Sequence, residues 1–127
     1  MTYNILIVDD SKVLRMAIKK TVLLSGLSND HMYEAGNGQQ ALDVLNSAHI
    51  DFVLLDLNMP VMNGEEFAEE LDKMPGHENV HVVVVSTESN NDRLDRMRAL
   101  GVRHFLRKPF EPEDLKRIVS ELIGAVS

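Results

Sequence analysis

The chain has no cysteine and no tryptophan, only 5% aromatic residues, and no apolar run near the ~18 residues that a membrane span requires. Without cysteine there can be no disulfides, zinc–thiolate sites or thiol nucleophiles, and a reducing compartment suits the composition. Met1-Thr2-Tyr3-Asn4 places no basic stretch ahead of an apolar core, so no secretory leader and no membrane insertion are expected, and the location expected is the cytoplasm. Basic charge is also scarce. The 13 Lys+Arg face 20 Asp+Glu, leaving −7 at pH 7, which argues against a direct nucleic-acid partner because that needs a basic footprint. The phosphate-cradling patterns G-x-G-x-x-G and G-x-x-x-x-G-K-[ST] are missing after the first apolar run. Repeats, low-complexity tracts and long linkers are absent too, so the 127 residues read as one domain, 1–127.

Four short apolar runs are present, and each stops on a polar residue. Ile5-Leu6-Ile7-Val8 meets Asp9-Asp10, Phe52-Val53-Leu54-Leu55 meets Asp56, Val82-Val83-Val84-Val85 meets Ser86-Thr87, and Phe105-Leu106-Arg107 meets Lys108-Pro109. Unbroken Val/Ile/Leu runs are the mark of strands buried on both faces, as in a parallel sheet. Helical periodicity fills the gaps. Val13, Leu14, Ala17, Ile18 and Val22 form a stripe closed by Gly26, a weak strand runs from His31 to Ala35, and Ala41, Leu42, Leu45 and Ala48 mark a second helix. Phe67 and Leu71 belong to a third helix stopped by Pro75-Gly76, and Leu94, Met97 and Leu100 to a fourth before Gly101. The last starts near Pro112 with Leu115, Ile118, Val119, Leu122 and Ile123 as its core face.

The pattern is β-α repeated five times, which predicts an α/β fold with one doubly wound, five-stranded parallel sheet. Taking the usual order 2-1-3-4-5 and right-handed crossovers, strands 1 and 3 are neighbours at the switch point, where such sheets bind ligands beyond their carboxyl ends. Asp9-Asp10 and Asp56 then converge.

Carboxylates crowded together repel unless a cation joins them. Magnesium fits, because it takes about six oxygens and uses one or two carboxylates plus a substrate phosphate. A calcium loop of the D-x-D-x-D-G kind is missing. Ser86 and Lys108 could hold phosphoryl oxygens, while a free oxygen of Asp56 attacks phosphorus in line. Each residue also has a plainer reading. Asp10 could cap the first helix, Asp56 a turn and Ser86-Thr87 the fourth helix, while Lys108 could be a surface lysine. Four such endings at one sheet edge exceed what capping alone requires.

These motifs carry a resemblance over the whole length. V-D-D at Val8–Asp10, D-L-N-M-P-V-M-N-G at Asp56–Gly64, V-S-T-E at Val85–Glu88 and K-P-F at Lys108–Phe110 make the chain similar to a bacterial response-regulator receiver domain of the chemotaxis type, with the flavodoxin-like fold. The resemblance implies that Asp56 is the phosphoacceptor, taking its phosphoryl group from a sensor histidine kinase, a phosphotransfer protein or a small phosphodonor. It implies Mg²⁺ held by Asp10 directly, by Asp9 mostly through water, by Asp56 and by the carbonyl of Asn58. Ser86 and Lys108 would hold phosphoryl oxygens, and the Lys108-Pro109 bond would be cis. Asn58 and Glu88 would tune hydrolysis of the acyl phosphate. Two positions depart from the pattern: Thr87 stands where Ala or Gly is usual, and Phe105 stands at the aromatic switch position where the chemotaxis type has Tyr. Thr87 would narrow access to Asp56, and Phe105 would swing without offering a hydroxyl.

The implied output is a changed surface on the fourth helix, fifth strand and fifth helix around Met97, Arg103, Phe105 and Lys116, read by a downstream protein. Residues 1–88 hold 5 Lys+Arg against 14 Asp+Glu, and residues 89–127 hold 8 against 6, so the basic third suits an acidic partner. Singly, Arg93, Arg96, Arg98 and Arg117 read as solvated helix faces, and the five histidines as surface or loop residues. With the chain ending at Ser127, no attached output domain is expected, and the receiver is expected not to be an enzyme in its own right. A phosphorelay or phosphate-sink role is the nearest alternative. An aspartyl phosphohydrolase is a more distant one, since Asn58 stands where a second catalytic Asp would be needed. A flavin- or nucleotide-binding domain is more distant still.

Overall fold

The computed structural model describes residues 3–26, 29–87 and 90–126. Strands and helices alternate as β1 (Tyr3–Val8), α1 (Lys12–Leu24), β2 (Asn29–Ala35), α2 (Gly38–Ser47), β3 (Phe52–Leu55), α3 (Gly64–Asp72), β4 (His81–Ser86), α4 (Asn91–Ala99), β5 (His104–Arg107) and α5 (Pro112–Val126). The strands are all parallel, in the expected order β2-β1-β3-β4-β5.

Side chains alternate across the sheet, so each strand feeds two cores. Ile5, Ile7, Phe52, Leu54, Val83 and Val85 pack with Ile18 and Val22 of α1 and Leu115, Ile118, Val119 and Leu122 of α5. Leu6, Val8, Val53, Leu55 and Val84 pack with Ala41 of α2, Phe67 and Leu71 of α3 and Met97 of α4. Burying each such side chain stabilises the fold by roughly 1.5–3 kcal/mol relative to exposing it.

The helices start on short polar side chains. Ser11 caps α1, Asn37 caps α2, and Asn90 caps α4 by accepting from the N–H groups of Asp92 and Arg93. Asn63 and Glu66 form a reciprocal capping box on α3. The chain leaves α1 through Gly26, whose φ of 80° lies in the left-handed region that a side chain disfavours.

Three expectations are corrected. Val13, Leu14 and Ala17 are exposed, not core, so the buried apolar contact of α1 with the sheet is the narrow seam of Ile18 and Val22. Met97 belongs to the buried core under α4 and not to the outer surface, because the positions beside it, Arg96 and Arg98, take the solvent side. The histidines are not confined to loops: His31, His81 and His104 lie in strands, the last two half-buried.

Candidate functional site

Strand register explains how the carboxylates meet. Val8 pairs with Leu55, so Asp9 and Asp56 leave adjacent strands side by side. The backbone fixes both, with the Asp9 N–H donating to the Ala35 carbonyl at 3.1 Å and the Asp56 N–H to the Val8 carbonyl at 2.9 Å. Oxygens of Asp9, Asp10 and Asp56 all lie within 4.8 Å of one another. Asp9 and Asp56 are buried and Asp10 is exposed.

Lys108 enters from the far side of the sheet. Ser86 pairs with Arg107, and the Lys108 N–H donates to the Ser86 carbonyl at 3.1 Å, which aims the following side chain across the sheet edge. Its ammonium donates to Asp9 Oδ2 at 2.5 Å and stands 3.7 Å from Asp56 Oδ1. The Lys108-Pro109 bond is cis. Asp9 is further satisfied by the Ser11 N–H at 2.9 Å, and the Arg15 guanidinium donates to its carbonyl at 2.6 Å.

Burial pushes the Asp56 carboxyl above its ordinary 3.8; the Asp9 charge adds to this, while Lys108 and the N–H groups of Asn58 and Leu57 oppose it. Asp56 is therefore a desolvated carboxylate placed between a second carboxylate and an ammonium. The donor set is all oxygen and hard, which fits a magnesium-like cation. Ser86 is buried at the end of β4, Thr87 is exposed immediately after it, and Glu88 lies outside the described residues. Phe105 is half-buried against the core beneath α4, with the Arg98 guanidinium 4.8 Å from its ring centroid.

The plainer readings of these residues lose ground here. Ser11, not Asp10, caps α1, and Asn90, not Ser86 or Thr87, caps α4. Among the described residues, the three acids are also the only cluster of acids and histidines close enough to share a metal ion.

Sequence reasoning missed one group. Arg93 is not a solvated helix face: its Nε donates to Glu65 Oε2 at 3.0 Å and to Oε1 at 3.2 Å, and its Nη2 also bonds Oε1. Nη1 donates to Asn58 Oδ1 at 2.6 Å, and Nη2 to the Leu57 carbonyl at 3.3 Å. Glu65 is buried although it sits in the first turn of α3. Its partner comes from α4, 28 residues later, so no local pattern in the sequence signals the pair.

Gly64 completes the site's floor. A Cβ there would stand 2.7 Å from the Asp56 carbonyl oxygen, so only glycine lets α3 begin this close to the acid. Val61, in the same loop, has a φ of 67°.

A fold with acids at the switch point, a lysine facing them and a buried serine on the next strand defines a class that comparison then identifies. The family model of the response regulator receiver domain matches residues 5–120, and the chain belongs to that family, whose members are regulatory phosphoacceptor domains. A chemotaxis protein CheY homolog of Campylobacter jejuni is 32% identical over 98% of this chain and 95% of its own length. The sporulation initiation phosphotransferase F of Bacillus subtilis is 28% identical over 97% and 95%. The structure of Vibrio cholerae CheY4 superposes with a TM-score of 0.83 at 28% identity, covering 95% of this chain and 98% of that one. No helix among the described residues is long and apolar enough to cross a membrane.

Proposed function

We propose that this chain is the Mg²⁺-dependent phosphoacceptor of a two-component pathway, with Asp56 as the residue that carries the phosphoryl group. The observation that carries this reading is the buried Asp56 carboxylate, ringed by Asp9 and Asp10 and faced by the Lys108 ammonium. An oxygen of Asp56 forms the new bond to phosphorus while the P–N bond of a kinase or phosphotransfer-protein phosphohistidine breaks, the electron pair leaving with the imidazole. Asp9, Asp10, Asp56 and the Asn58 carbonyl would hold Mg²⁺, whose contribution is to neutralise the charge of the phosphoryl oxygens. Lys108, drawn off Asp9, and Ser86 bind the remaining oxygens.

The consequence of phosphorylation is regulatory. New charge at Asp56 favours whichever state gives it partners, so Ser86, Lys108 and Phe105 supply the differential contacts. For Phe105 to move, its ring must leave the Arg98 guanidinium, which would alter the surface formed by α4, β5 and α5 around Arg103 and Lys116. A cytoplasmic downstream protein would read that surface, and the similarity to chemotaxis proteins supports chemotaxis as the setting. Thr87 and Asn58, both exposed, would tune the lifetime of the acyl phosphate, and Glu88 is assigned the same role. The similarity to a sporulation phosphotransferase supports a second reading, a phosphorelay intermediate or phosphate sink.

The test is intact mass after incubation with acetyl phosphate and Mg²⁺. Wild type should gain one phosphoryl group and Asp56→Asn none. A gain in both proteins would remove Asp56 from its role. Continued turnover of phosphate monoesters would favour a hydrolase instead.

A further inference from the structure

The guanidinium of Arg93 joins three parts of the molecule that the sheet does not connect. It is rooted in the first turn of α4, anchored on the buried carboxylate of Glu65 in α3, and bonded to both residues that follow Asp56. Those two residues already turn their N–H groups onto the Asp56 carboxylate. The loop that carries them has no regular hydrogen-bond ladder from Leu57 to Asn63. The Leu57 carbonyl accepts from the Gly64 N–H at 3.1 Å, and the Arg93 fork adds a second donor to that oxygen and ties the Asn58 side chain to the same group. Arginine suits this task because its planar donors make several bonds in fixed directions, where lysine offers a point charge.

We infer that Arg93 is a positioning residue for the cation site. Anchored by Glu65, it pre-orients the Leu57-Asn58 peptide and so sets the affinity for a divalent ion. The inference rests on the reading above, in which the Asn58 carbonyl is one of the ligands. Groups that orient metal ligands typically contribute 10–100-fold in affinity. Their loss lowers ion binding and leaves the bond-making residues in place. The effect should therefore appear as a higher Mg²⁺ requirement, not as a lower rate once the site is full.

Two variants separate positioning from bracing. Arg93→Lys keeps a cation beside Glu65 but cannot grip Asn58 and Leu57 together. Glu65→Gln keeps the shape of the anchor and removes its charge, with no buried carboxylate left unpaired. Mg²⁺ binding is read without phosphodonor, from the backbone amide shifts of Leu57 and Asn58 in the intact chain. The Mg²⁺ dependence of phosphorylation by acetyl phosphate is read separately. Arg93→Lys should melt near wild type and bind Mg²⁺ about tenfold more weakly. Its half-saturating Mg²⁺ should rise by the same factor, while the rate at saturation changes less than about twofold. Glu65→Gln should shift both values in the same direction by a smaller factor.

Wild-type Mg²⁺ affinity in a folded Arg93→Lys protein would reduce Arg93 to a brace and overturn the inference. If that variant does not fold, wild-type affinity in Glu65→Gln overturns it equally, as does a wild type that binds no Mg²⁺. A wild type that binds Mg²⁺ but leaves Asp56 unphosphorylated would sink the proposed function alone, because weakened binding in the variants would still support positioning by Arg93.

Discussion

Replacing Asp56 by asparagine should stabilise the protein when divalent ions are chelated, and the structure allows the size of the effect to be worked out. Lys108 at 3.7 Å attracts Asp56 by about 4.5 kcal/mol at an effective dielectric of ~20. Asp9, with an oxygen within 4.8 Å, repels it by about 3.5 kcal/mol on the same scale. Asp10 is exposed and adds about 1 kcal/mol at a water-like dielectric. The Coulomb contributions nearly cancel, so the cost of burying a carboxylate is offset only in part, by the N–H groups of Leu57 and Asn58. Asparagine keeps the shape and removes that cost. A gain of about 1–2 kcal/mol, or roughly 3–8 °C in Tm for a domain of this size, is expected in EDTA. Excess Mg²⁺ should raise the wild type more than the variant and narrow the gap, since an ion that binds only the folded form stabilises by mass action. Thermal melts followed by circular dichroism, with and without Mg²⁺, measure all four values. If Asp56→Asn melts below wild type in EDTA, the Lys108 attraction dominates and the site does not call for a cation as argued.

Lys108→Met should move two properties in opposite directions: Mg²⁺ binds roughly tenfold tighter, about 1.4 kcal/mol, with the competing ammonium gone, while phosphorylation slows by about a hundredfold. A binding isotherm and a rate on the same sample check this, and a fall in both would contradict it. His81 sits below its ordinary 6.5 because burial disfavours its charged form and His104 adds to this, while Asp51 opposes it. The unfolded chain thus takes up that proton more readily, so stability is full above pH 6.5 and falls as pH drops through it. Urea midpoints across that range should show the slope, and His81→Leu should flatten it. Val61 holds a left-handed φ of 67° on an exposed loop, so Val61→Asn should raise stability by about 1 kcal/mol, read as a shifted urea midpoint.

The strands were legible because burial on both faces writes itself as uninterrupted aliphatic runs, and their polar endings marked the sheet edge that carries Asp9, Asp10, Asp56, Ser86 and Lys108. The order of strands could be inferred because few topologies satisfy right-handed crossovers. The outer face of α1 was misread because a short i, i+4 repeat reads the same whether one residue pair or five reach the core. Met97 was misplaced because a helix position can belong to the right segment and still point inward. Arg93 and Glu65 were illegible for a different reason. Their meeting depends on how α3 and α4 pack, and an arginine on a polar helix gives no sign of a buried partner.

The tether of Lys108 to Asp9 has one more consequence. An ammonium fixed on the chain cannot be diluted away, so the acidic edge always has a counterion at hand when free divalent ions are scarce. On the proposed reading, starvation for magnesium should then silence phosphorylation of Asp56 while leaving the architecture intact.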